Sequence, residues 1–169
     1  MNRIVPIIAV ILFAITGCKT EEHQSFEKII FHNSRCFGDC DVYHLEIKGD
    51  TSVKVYGEAV YQHSGRKMYI HSPDKEGYFS GKAKRNEFKT LDSIIRHIGI
   101  DTIKFDNSDC CDGIIYTIII YREGKRIELK SMFPPEKARQ LIAVLNSICR
   151  NSDVKRTAKP FTLEGQVKN

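Results

Sequence analysis

Chemistry in this chain would begin with its thiols. Six cysteines are present: Cys18, the pair Cys36 and Cys40, the adjacent Cys110 and Cys111, and Cys149. The run Cys36-Phe37-Gly38-Asp39-Cys40 can close on itself as a disulfide, because Gly38 permits a tight reversal. Closing so short a loop gains about 2 kcal/mol in the chain-entropy model. Cys110 and Cys111 are further disulfide candidates. A bridge between neighbours is strained, so one of them pairing elsewhere is the more comfortable arrangement. Cys149 falls on an apolar helical stripe and reads as a small buried thiol. Two sharper chemistries compete with disulfides. Four cysteines with His32 or His44 could hold zinc, although neither cysteine pair has the usual two-residue knuckle spacing. Alternatively Cys36 could be a thiol nucleophile activated by one of those histidines. Thioredoxin-type and haem-attachment spacings do not occur.

Carboxylates offer less. Asp39, Asp41 and His44 could act as acid and base, but a polar loop at the mouth of a sheet explains them as well. Asp106, Asp109 and Asp112, with Asn107 and Gly113, hint at calcium and lack the downstream glutamate of an EF-hand. Phosphate loops, nucleophile elbows and zinc-protease helices are all missing. No catalytic residue and no metal ligand is therefore assigned.

The compartment decides what the thiols do, and the first residues bear on it. Arg3 supplies a short positive start, and Ile4–Ile15 is an apolar run of about a dozen residues. A bilayer core needs roughly 20 helical residues. Ile15-Thr16-Gly17-Cys18 resembles the lipobox of bacterial lipoproteins, which are cut before a diacylglycerol-bearing cysteine. Residues 1–17 are then a signal peptide and 18–26 an acylated tether. The acyl lipid on Cys18 is the only attached group expected, and the membrane the first partner, since two or three chains hold effectively permanently. Lys19 is not the aspartate that retains lipoproteins at the inner membrane, and Glu21-Glu22 resembles a surface-export signal. An outer-membrane lipoprotein facing the periplasm or the surface is the expectation. In that oxidising setting disulfides are the default state of Cys36, Cys40, Cys110 and Cys111.

Periodicity then supplies the elements that must position these residues. Ile29, Ile30 and Phe31 lie in a first strand. Tyr43, Leu45 and Ile47 alternate with His44, Glu46 and Lys48, and a turn at Gly49-Asp50 leads to Val53 and Val55, which makes a β-hairpin. Arg66–His71 adds a strand after Ser64-Gly65. Phe88, Leu91, Ile94, Ile95 and Ile98 recur at helical spacing, with Asn86 as N-cap and Gly99 as stop. Ile114–Tyr121, nearly all apolar and β-branched, reads as a central strand buried on both faces. Glu123-Gly124 turns it into Ile127 and Leu129. Pro134-Pro135 opens a last helix whose apolar face is Ala138, Leu141, Ile142, Leu145, Ile148 and Cys149. The expected fold is α+β: an antiparallel sheet with two helices packed on one face, and an order that suggests two hairpin-helix units.

Composition sets the outer limits. The chain has 169 residues, 28% of them charged and 41% hydrophobic, which suits one globular domain, placed at 27–150. A net charge of +5 without arginine-rich runs and interleaved aromatics is no nucleic-acid signature. Lys155, Arg156, Lys159 and Lys168 against Glu164 make 151–169 a flexible basic tail, with an edge-capping extension as the alternative.

One resemblance follows. Cys36-Phe37-Gly38-x-Cys40-x-x-Tyr43, an alternating strand, Asp50 and Gly57 resemble the bacterial lipoproteins carrying domain of unknown function 6438, with the pattern C-F-G-x-C-P-x-Y. The likeness extends over roughly Lys28 to Arg150. Asp41 stands where proline is usual and Thr51 where the turn glycine is usual. The resemblance implies a small extracytoplasmic domain and brings no activity. A non-catalytic envelope lipoprotein that binds a protein or another ligand is the leading expectation. A thiol redox protein or other enzyme using Cys36 and Cys40, and a cysteine-based metal module, are the alternatives.

Overall fold

The computed structural model describes residues 24–64, 68–106 and 112–166. Among the described residues nine strands and two α-helices follow in the order β1 (Lys28–Asn33), β2 (Val42–Lys48), β3 (Ser52–Ala59), β4 (Tyr61–Ser64), β5 (Met68–His71), β6 (Gly77–Lys82), α1 (Arg85–His97), β7 (Tyr116–Arg122), β8 (Lys125–Ser131), α2 (Glu136–Asn151) and β9 (Asp153–Arg156). Seven strands form one sheet in the order β8-β7-β1-β2-β3-β6-β9, and β4 pairs with β5 alone. Every neighbouring pair is antiparallel. The protein is the α+β sheet-and-two-helices fold its periodicities call for.

Residue parity sorts the two faces. Ile29 and Phe31 of β1, Tyr43, Leu45 and Ile47 of β2, Val53 and Val55 of β3 and Ile118 and Ile120 of β7 share one buried cluster with Leu91 and Ile95 of α1 and Leu141, Leu145 and Ile148 of α2. Both helices therefore cover the same face. The other parity, Ile30, His32, His44 and Ile119, is also buried yet lies outside that cluster. Something other than a helix covers it.

That cover is the carboxy-terminal segment, and over residues 151–166 the structure corrects the expectation of a flexible tail at 151–169. Residues Asp153–Arg156 extend the sheet by pairing with β6, so the edge-capping alternative describes them. This register needs Gly81, where a Cβ would lie 2.1 Å from the Asp153 carbonyl oxygen and 2.8 Å from Val154 Cα. Beyond β9 the chain crosses the helix-free face as a strap. Phe161 meets Tyr78 edge-on at 5.0 Å, and Leu163 is only 2% exposed. Lys155, Arg156 and Lys159 misled because they are exposed on segments anchored by three other residues, Val154, Phe161 and Leu163.

Smaller differences have plain causes. Ser25 and Phe26, read as tether, are buried, and the Ser25 amide and hydroxyl donate to Asp92. Helix α1 starts at Arg85, with Lys84 rather than Asn86 at its cap, while Gly99 ends it in the left-handed region at φ 65°. Strand β7 carries Ile118, Ile119 and Ile120, all buried, but is second from an edge, because β1 inserts between it and the β2–β3 hairpin. Strand β6, Gly77–Lys82, went unread because its glycines break the alternation.

Candidate functional site

The disulfide loop closes one end of the sheet. Cys36 and Cys40 are bonded to each other across the five-residue loop, and Gly38 at φ 132° makes the reversal. The loop is pinned by the Phe37 amide, which donates to the Asp112 carbonyl at 3.0 Å. Phe37 itself is 88% exposed. With each sulfur spent on the other, neither is a ligand or a nucleophile in this state. Cys149 is free and buried on α2, where burial pushes its thiol far above the usual range. Cys18 lies outside the described residues, as do Cys110 and Cys111.

The three groups grouped as a possible acid-base set are separated by the sheet. Asp39 and Asp41 line a cleft of about 530 Å³ against α2. There Asp41 accepts from the Tyr61 amide at 2.7 Å and forms an ion pair with Arg150. His44 points to the opposite face. Of the calcium candidates, Asp106 accepts a hydrogen bond from the Ser131 hydroxyl at 2.5 Å, and Asn107 and Asp109 lie outside the described residues. Among the described residues no three His, Cys, Asp or Glu side chains converge as metal ligands.

What the helix-free face does bring together is a row across five strands. Register pairs Thr117 with His32, His32 with His44, His44 with Tyr56 and Tyr56 with Tyr78. Cross-strand neighbours stand close enough for their rings to touch: His32–His44 centroids are 5.0 Å apart, His44–Tyr56 5.5 Å and Tyr56–Tyr78 4.6 Å.

The histidines form a hydrogen-bonded chain. His32 Nε2 lies 2.7 Å from the Glu164 carbonyl oxygen, His32 Nδ1 lies 2.8 Å from His44 Nδ1, and His44 Nε2 lies 3.4 Å from Glu58 Oε2. A neutral imidazole carries one N–H. The carbonyl can only accept, so His32 donates through Nε2 and accepts at Nδ1, and His44 donates through Nδ1; this assignment follows from the partners. Both protons are then used on the two short contacts. His44 Nε2 is left with a lone pair facing a carboxylate, which accounts for that contact being the long one. A further proton enters there without breaking either short bond. Burial lowers His32 to about 4 against the help of the Glu164 carbonyl. It lowers His44 too, opposed by Glu58.

Around this chain opens a cleft of about 550 Å³, lined by His32, His44, Glu58, Arg35, Thr117 and Lys130, with Gly165 of the strap along it. Arg35 donates to Glu58 Oε1 through Nε at 2.9 Å and Nη2 at 2.5 Å. Charges of both signs thus meet at its mouth. The strap bounds it at Gly165, and the carboxylate of the preceding Glu164 takes the Tyr121 hydroxyl at 2.7 Å, Arg126 Nε at 2.9 Å and Lys28 Nζ at 3.5 Å. Those donors hold the Glu164 carboxyl below the usual range. Sequence reasoning named His32 and His44 as neighbours of a cysteine, and missed that they face each other. It missed Arg35, Glu58 and Lys130, and it read Glu164 only as a charge of the tail. The one available signal was parity, which set His44 on the outward side of β2.

A family model described as "Domain of unknown function (DUF6438)" matches residues 27–149. None of the curated proteins compared with the chain matches it. The matched segment runs from β1 to α2, and β9 and the strap follow it.

Proposed function

The chain belongs to the DUF6438 family, and from that premise we propose that it is a lipid-anchored protein of the bacterial envelope whose domain binds a ligand without catalysing its conversion. The single observation that carries the binding reading is the cleft of about 550 Å³ on the helix-free face, with Arg35, Lys130, Glu58 and the lone pair of His44 along it. A concave site with a few convergent polar groups is the usual form of a ligand site. Against catalysis, no side chain there among the described residues is a nucleophile held by a base. The ligand is a protein or another envelope component offering both charges and a hydrogen-bond donor for His44 Nε2. Nucleic acid is not among the candidates.

Anchoring rests on Ile15-Thr16-Gly17-Cys18, and the Cys36–Cys40 disulfide supports an oxidising compartment. Acylation at Cys18 with outer-membrane placement, facing the periplasm or the surface, is the reading that joins the two. The test is fatty-acid labelling and membrane fractionation of the full chain beside Cys18→Ser, followed by cross-linking in intact cells. We expect label and membrane association to vanish in Cys18→Ser, and a cross-linked partner to be weakened by Lys130→Glu. Unchanged labelling would sink the anchor, and a partner indifferent to Lys130→Glu and Arg35→Glu would sink the cleft.

A further inference from the structure

We propose that the groove under the strap is a docking site for an extended peptide of a partner protein, with an aromatic residue, an aliphatic residue two positions later, then an acidic residue and a glycine. The chain's own Phe161-Thr162-Leu163-Glu164-Gly165 occupies it in cis. This inference rests on the reading of the helix-free face as the binding face, and it names the partner chemistry for that face.

The strap is seated as a ligand is seated. A strand is held by a ladder of backbone bonds, but among the described residues one hydrogen bond joins the sheet to the backbone of Phe161–Gly165, from His32 Nε2 to the Glu164 carbonyl, and the Thr157 amide bond to the Tyr78 carbonyl lies upstream of that segment. The other backbone bonds of Leu163–Gln166 are local, Gln166 amide to Leu163 carbonyl and Leu163 amide to Gln166 Oε1. Side chains do the holding instead. Leu163 is buried, and Gly165 two residues on lies against His32 and Ile119. Phe161 caps Tyr78.

The Glu164 carboxylate is the specific element. Three groups from three strands converge on it: Lys28 of β1, Tyr121 of β7 and Arg126 of β8. Lys28 also stands 4.1 Å over the Tyr121 ring, which fixes both. Such a clamp reads a carboxylate by charge-assisted hydrogen bonds. Next to it the groove reads the absence of a side chain. A Cβ on Gly165 would lie 3.3 Å from His32 Nε2 and 3.4 Å from Ile119 Cδ1, and its φ of 77° favours glycine. Gly165 also lines the cleft of about 550 Å³, so groove and cleft adjoin there. The clamp residues all lie within the family-matched segment and the strap lies beyond it. The receptor and its present occupant are separate parts of the chain.

The probe is a fluorescent peptide, Lys-Pro-Phe-Thr-Leu-Glu-Gly-Gln, copied from positions 159–166, added to the full chain. A tethered competitor acts at an effective concentration in the millimolar range, so wild type takes up little. Weakening the strap by Leu163→Ser with Glu164→Gln, or by Leu163→Ala alone, is expected to raise peptide affinity at least tenfold. Glutamine in place of the peptide's glutamate, or Arg126→Ala in the protein, is expected to cancel that gain. Equal weak binding by wild type and both strap variants, each folded by near-ultraviolet dichroism, would overturn the proposal. So would dimers formed by strap exchange where no peptide is taken up, since the occupant is then a second copy. If the peptide fails while Lys130→Glu still weakens the cross-linked partner, the groove falls and the cleft reading stands.

Discussion

Nδ1 of His32 lies 2.8 Å from Nδ1 of His44, a bond for which only one of the two rings can hold the proton. A proton placed on both facing nitrogens would set two N–H groups against each other in a buried site. Charging His32 therefore requires His44 to give up its Nδ1 proton, whereas His44 can accept a proton on its far side toward Glu58 with both short bonds kept. This makes the pair a one-proton element, and its consequences are measurable.

Stability should fall with acidity through His32. Its value drops from 6.5 in the unfolded chain to about 4 in the fold, so between those values the unfolded state binds more protons. The contribution is whole above about pH 6.5 and is lost as pH falls through 4, about 3 kcal/mol in all. Lowered carboxyls such as Asp92 and Glu164 act in the same direction, so the difference from His32→Gln isolates the histidine. Urea unfolding at pH 7 and pH 4 should show the wild type losing more than the variant. Equal losses would remove the pair from the account.

The thiols should fall into distinct classes. The buried Cys149 should resist an alkylating reagent in the native protein and react fully in denaturant, because burial keeps it protonated and the thiolate is the reactive form. Cys36 and Cys40 should react only after reduction, and Cys36→Ser with Cys40→Ser should cost about 2 kcal/mol. Mass mapping of the labelled peptides reads both. Prompt labelling of Cys36 in unreduced native protein would contradict the disulfide.

These tests also mark what the sequence could and could not carry. The α+β architecture was legible because Tyr43, Leu45 and Ile47, and likewise Ala138, Leu141 and Leu145, repeat at periods that only one kind of element satisfies. The Cys36–Cys40 bridge was legible because its spacing and Gly38 are local. The histidine chain was not, since it depends on β1 pairing with β2 in the register that sets His32 opposite His44, and register is a property of two strands together. The strap was hidden for a related reason. Its anchors, Phe161, Leu163 and Glu164, are three residues in an otherwise polar stretch, and only the sheet beneath shows what they hold.

Thr51 carries strain that a single change should relieve. It stands at φ 68° in the turn between β2 and β3, and β-branched residues resist that region by about 1–2 kcal/mol. The turn survives because Asp50 Oδ1 accepts from the Ser52 amide at 2.8 Å and the Ala83 amide donates to the Thr51 carbonyl at 2.9 Å. Thr51→Gly keeps both bonds. Part of the relief is offset by glycine's larger unfolded entropy. A net gain of about 0.5–1 kcal/mol is expected by thermal unfolding, and a loss would mean that the turn is not strained.

Asp41 ties three parts of the fold together. Its carboxylate joins the Tyr61 amide and Arg150, and its backbone carbonyl accepts from Asn33 Nδ2 at 2.9 Å. The disulfide loop, the start of β4 and the end of α2 meet at this side chain. Asp41→Ala leaves the Tyr61 amide without its partner and Arg150 without its counter-charge. Because Arg150 is 44% exposed, water compensates it in part, and the expected cost is about 1–3 kcal/mol. Asp41→Asn, which still accepts from the amide, should lose less. Equal losses in denaturant unfolding would place the cost elsewhere.

Gly81 decides whether the strap is delivered to its face at all. It lies opposite Val154 in the β6–β9 register, and a Cβ there would lie 2.1 Å from the Asp153 carbonyl oxygen and 2.8 Å from Val154 Cα. Both obstacles are backbone, so neither can rotate aside. Gly81→Ala must push β9 off the sheet edge, while β6 keeps its pairing with β3 on the other side. The strap would then lose its upstream anchor, the Thr157 amide bond to the Tyr78 carbonyl at 2.8 Å. Hydrogen exchange should therefore quicken at Val154, Lys155 and Thr157 and leave β1, β2 and β7 protected, with global stability lowered by about 1–3 kcal/mol. Release of β9 also frees the groove, so Gly81→Ala should take up the Lys159–Gln166 peptide more readily than wild type without any change to the clamp. Uniform loss of protection across the whole sheet would show instead that β9 is integral to the core and that the strap is no separate part.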